Sequence, residues 1–177
     1  MSRGHDPEYS LVHAVGLCVL NWSRVETYLA ELFHLVLQRP TPAQDSMLDR
    51  IQTFNDRLAV IDAAIAHASL GAAISERWTK LKFTAVDKYA RRNAIAATSV
   101  SAERIGALAS RLIKVHQVPV GTILKRDKSL HLSDLDAAAN SFQRLAQDIA
   151  DLHGDVQSAL IARFVSDRGE SAENKAR

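Results

Sequence analysis

The sequence predicts an all-α fold: an antiparallel bundle of about four long helices with a short irregular or hairpin insertion near residues 98–132. Two observations carry that expectation. Apolar residues recur at alternating steps of four and three over long stretches, the signature of one buried face on an α-helix. The chain is also rich in alanine and poor in breakers and aromatics, with seven glycines, four prolines and 6% aromatic residues, which favours helix over sheet.

The first helix is expected to open at Asp6-Pro7, an acidic cap before a residue favoured in the first helical position. Its stripe is Leu11, Val15, Cys18, Trp22, Val25, Leu29, Leu32 and Val36, and Arg39-Pro40-Thr41-Pro42 ends it. A second helix is expected over about residues 43–69 with Met47, Ile51, Phe54, Leu58, Ile61 and Ile65 inward. Gly71 ends it or opens the turn, and so short a connection favours an antiparallel neighbour. The third helix, about 72–97, points Ile74, Trp78, Leu81 and Ala85 inward. Seven residues on, the same face carries Arg92, and a charge on a buried seam is costly unless it is paired or faces a cleft.

Residues 98–132 are less regular. Ser101 could cap a short helix to about Ser110, and Leu112–Val118 and Thr122–Lys125 flank Pro119-Val120-Gly121 as a hairpin or a loop excursion. Ser133-Asp134 then caps a long last helix with Leu135, Ala138, Phe142, Leu145, Ile149, Leu152, Val156 and Leu160 inward. One domain over 1–165 and a disordered polar tail over 166–177 complete the expected organisation.

The bulk properties exclude more than they assign. A composition of 47% hydrophobic and 24% charged residues is globular, and a net charge of +2 with lysines and arginines spread along the chain names no partner. The single Cys18 excludes an internal disulfide and a cysteine-based metal cage, and its apolar surroundings point to an inert thiol. The polar N-terminus has no signal-peptide core, so a cytoplasmic protein without membrane contact is expected. None of the seven histidines pairs with another at helical spacing, so neither a metal nor a cofactor is expected. Asp45 and Asp49, one turn apart at a helix start, are explained by the positive end of the helix dipole.

One segment carries more. Arg92-Asn93-Ala94-Ile95-Ala96 resembles the R-N-x-I-A-H segment of HEPN (higher eukaryotes and prokaryotes nucleotide-binding) domains, and Trp22-x-x-x-Glu26-x-x-Leu29 on a long first helix suits the same layout over residues 8–160. The resemblance implies a metal-independent endoribonuclease of toxin or defence type. It also implies a site completed across a homodimer, an RNA substrate and, for a toxin, an antitoxin protein. Arg92 would stabilise the scissile phosphate and Asn93 would orient the reacting groups. The family's histidine falls at position 97, where this chain has Ala97. Strand cleavage by the 2′-hydroxyl needs a group that moves a proton, and a methyl group cannot. Ala97 is either natural, in a non-catalytic relative, or the product of a histidine replaced by design. Against this stands a non-enzymatic helical interaction or regulatory module. There Arg92 would pair with Glu26 or another carboxylate at a helix crossing, Glu26 would be a flank residue, and Asn93 a surface amide. A nucleotide or small-ligand binder is a third class, without a phosphate-cradling motif to support it.

Overall fold

A computed structural model of the chain describes residues 7–38, 47–96, 98–100, 115–117 and 131–175. The long elements are all helical. They are α1 (Pro7–Leu37), the single turn α2 (Met47–Arg50), α3 (Phe54–Ala68), α4 (Ala72–Ala96) and α5 (Leu132–Lys175). Two three-residue strands, β1 (Thr98–Val100) and β2 (Val115–Gln117), pair antiparallel with Ser99 opposite His116. β2 lies inside the expected 112–118 strand, but its partner is 98–100. Residues 101–114 and 118–130, with the proposed cap at Ser101 and the turn at 119–121, lie outside the described residues.

The contacts divide the chain into two compact units. The first is Met1–Val25 with Ala85–Ala146; the second is Glu26–Thr84 with Gln147–Arg177. In the first unit Leu11, Ala14, Cys18, Trp22, Val25, Ala85, Ile95, Leu135 and Phe142 are buried. The expected stripe of α1 is followed except that Ala14 takes the inward place of Val15, which is half-buried.

In the second unit α1 packs against α3, and the buried set includes Leu32, Phe33, Leu58, Ile61, Trp78 and Ile149. The expected 43–69 helix is interrupted, for a local reason. Thr53 is extended and accepts a hydrogen bond from the Asp56 backbone N–H at 3.1 Å, while its hydroxyl donates to the Asp56 carboxylate at 2.6 Å. That cap starts α3 at Phe54, and Met47 is left exposed while Leu48 turns inward. Ser69, in the left-handed region at φ 52°, ends α3, and Gly71 at φ 100° makes the turn into α4. Asp62, seven residues before Ser69, meets Trp78, seven residues after Gly71, as an antiparallel pair requires.

The start of α5 differs slightly from the expected cap. The His131 backbone N–H donates to the Asp134 carboxylate at 3.0 Å, so Asp134 caps from inside the first turn and Ser133 is already helical. The backbone stays helical to Lys175, past residue 165 where a polar tail was expected. No proline interrupts that stretch, and its Glu, Ala and Lys residues are good helix formers. Among the described residues no helix is long and apolar enough to cross a membrane.

Candidate anion site beside Arg92

The site of interest lies in the first unit and is built on an aromatic anchor. Trp22 of α1 is 1% exposed. Its ring meets Phe142 of α5 edge-on at 5.3 Å and Tyr89 of α4 at 5.9 Å. Polar ties fix the same three helices. The buried Asn21 amide donates to the Ala139 carbonyl at 3.0 Å, and its oxygen accepts from the Arg24 guanidinium at 3.4 Å. Arg91 donates to the Asp134 carbonyl at 2.9 Å, and the Cys18 thiol donates to the Leu135 carbonyl at 3.3 Å.

On this frame Arg92 is half-buried, and its guanidinium donates to the Asn93 side-chain oxygen at 3.1 Å. Arg92 borders a recess of about 50 Å³ with Cys18, Trp22, Ser23, Ile95 and Phe142. Such a volume holds one or two waters, roughly 30 Å³ each in the liquid, so a larger anion can be met only at the mouth. Within the first unit Arg92 forms no ion pair with a carboxylate among the described residues. A guanidinium presents its five N–H donors in a fixed planar fork.

The expected site residues are distributed as follows. Arg92 and Asn93 are joined. Glu26, half-buried on α1, belongs to the second unit. Ala97, which follows the last residue of α4, lies outside the described residues, as do Asp45 and the side chain of Asp49. Periodicity did not single out Ser23, Arg24, Asn21 or Arg91. Only Asn21, a polar residue between Leu20 and Trp22, carried a readable signal of a buried hydrogen bond.

Two electrostatic facts complete the site. Burial pushes the Cys18 thiol above its ordinary value, and the nearby Arg91 charge only partly offsets this, so Cys18 stays protonated and unreactive. The net charge of +2 hides a segregation between the units. The segments of the first contain twelve Lys and Arg against seven Asp and Glu, and those of the second ten against thirteen. By sequence the unit that holds Arg92 is thus the basic one, with seven of its twelve basic residues outside the described residues. Among the described residues no three His, Cys, Asp or Glu side chains are grouped as metal ligands. No family model, no curated protein and no solved structure matches the chain.

Proposed function

We propose that this chain is a HEPN-like ribonuclease scaffold that binds RNA phosphate at Arg92 and Asn93 and, with Ala97 in the family's histidine position, does not cleave it. The observation that carries the reading is Arg92 itself: half-buried, tied to Asn93, and un-neutralised by any described carboxylate of its unit. An arginine kept for core structure alone is expected to have an anionic partner, because an unpaired charge at a helix seam is costly. A guanidinium presented at the mouth of a recess suits a planar phosphate oxygen pair. The excess of basic residues in the same unit adds a sequence-independent attraction for a polyanion.

In this reading the protein is cytoplasmic, acts as a homodimer and belongs with toxin or defence systems, with an antitoxin protein as a further partner. Cleavage in the family's manner needs a proton acceptor for the 2′-hydroxyl or a donor for the leaving oxygen, with Arg92 offsetting the charge that develops on phosphorus oxygens. In this reading Arg92 serves the second function, and Ala97 leaves the family's position for the first without a group that can move a proton.

The test is metal-free RNA cleavage by the native chain, by Ala97→His, and by Ala97→His with Arg92→Ala. Cleavage by Ala97→His alone, lost by about 100-fold or more with Arg92→Ala, is the expected result. No cleavage by any folded form, together with no RNA retention by the native chain, refutes the scaffold reading. The second reading, a non-enzymatic interaction module, draws on Val12, Val19 and Leu20, which are exposed on α1 of the same unit.

A further inference from the structure

We propose that the outer face of α4 is an interface for a second copy of this chain, with the two α4 helices packed antiparallel about Phe83. The whole face belongs to one continuous helix, Ala72–Ala96. At its middle Phe83 is 70% exposed, and Val86, on the next turn, is 41% exposed. Four exposed charged residues run along the same face, Glu76 and Lys80 before the ring and Asp87 and Arg91 after it. Arg92 stands nine residues beyond Phe83, about two and a half turns, and so faces the opposite side of the helix. The inference therefore does not rest on the RNA reading.

An exposed ring alone names no partner, because single apolar residues are common on protein surfaces. The order of the charges around it does. Along α4 they read minus, plus, minus, plus, at spacings of four, seven and four residues. The spacing is symmetric about the Phe83–Thr84 position and the sign alternates. A copy running the other way therefore sets Lys80 beside the partner's Asp87 and Glu76 beside the partner's Arg91, and a two-fold axis makes each pair occur twice. A parallel copy in register would set like charges side by side instead, which is unfavourable. Within α4 these charges do not neutralise one another. Asp87 meets Lys88 at 3.2 Å, Arg91 donates to the Asp134 carbonyl at 2.9 Å, and no ion pair among the described residues includes Glu76 or Lys80. Burial of Phe83 and Val86 in the shared seam supplies the attraction, and the flanking pairs fix the antiparallel register.

The test is sedimentation equilibrium of the full chain across the micromolar to millimolar range. The native chain is expected to dimerise reversibly, and Phe83→Glu to stay monomeric. Lys80→Glu is expected to weaken dimerisation about tenfold or more, because it sets like charges together twice. Adding Asp87→Lys to Lys80→Glu exchanges the two signs and is expected to return dimerisation to near the native strength. Circular dichroism checks that each variant, changed only at exposed positions, is folded. A native chain that stays monomeric throughout overturns the inference and leaves the face to some other occupant. Dimerisation unchanged by Phe83→Glu or by Lys80→Glu, or not recovered by the exchanged pair, overturns it as well.

Discussion

Asn21 is the one polar side chain in the core among the described residues, and its two hydrogen bonds place it at the crossing of α1 and α5. Replacing it with alanine removes the donor to Ala139 and the acceptor for Arg24. Asn21→Ala is expected to lower the unfolding free energy by about 1–2 kcal/mol in a urea titration. Cys18 provides a second check at this scale. With its thiol held above the ordinary range by burial, it is expected to resist a disulfide reagent at pH 8 in the folded chain and to react fully in denaturant. The anomaly at Arg92 was legible because it breaks an apolar stripe. Its link to Asn93 turns on the rotamers of two adjacent side chains and the recess beside it on which helix faces which, whereas periodicity gives only the inward face of each helix.

At the scale of elements, the limits of α1 and α4 and nearly all their inward positions were readable from the four-three pattern. The interruption before α3 was not, because Met47 and Ile51 prolong the apolar period while Thr53 and Asp56 form a cap that breaks it. Thr53→Ala is therefore expected to cost about 1 kcal/mol in thermal or chemical unfolding. Gly154 lies inside α5 with nothing within 4 Å of where a Cβ would stand. Gly154→Ala is expected to raise stability by about 1 kcal/mol through helix propensity alone. The α3–α4 pair makes a pH prediction. Asp62 accepts from Lys82 Nζ at 2.7 Å and from the Trp78 indole at 2.7 Å, and the Lys82 bond chiefly holds its carboxyl below the usual range, burial opposing. A folded-state value below the unfolded one, about 4, means the stabilisation is complete above that pH and is lost as the pH falls through the folded value. Lys82→Met is expected to lower stability at pH 7 and to leave it nearly unchanged at pH 2, as measured by urea midpoints.

For the molecule as a whole, the small net charge read from composition concealed an imbalance that only the division into units exposes. Each unit joins segments that are far apart along the chain, so a window along the sequence averages the imbalance away. If RNA binds as proposed, its affinity falls steeply with salt. Amide shifts on titration with single-stranded RNA are then expected around Arg24, Arg91 and Arg92 and not around Arg77, whose guanidinium is engaged by Asp151 and Asp155. Shifts confined to the second unit would refute that footprint.

The placing of the two tryptophans has a practical consequence. Trp22 is packed against Phe142 in one unit, and Trp78 is hydrogen-bonded to Asp62 in the other, and the chain has no third. Nature has labelled each unit with its own fluorophore. Trp22→Phe leaves emission that reports on the acidic unit alone, and Trp78→Phe leaves emission from the basic unit alone. Two optical melting curves from one polypeptide then give the stability of each unit without cutting the chain or attaching a dye.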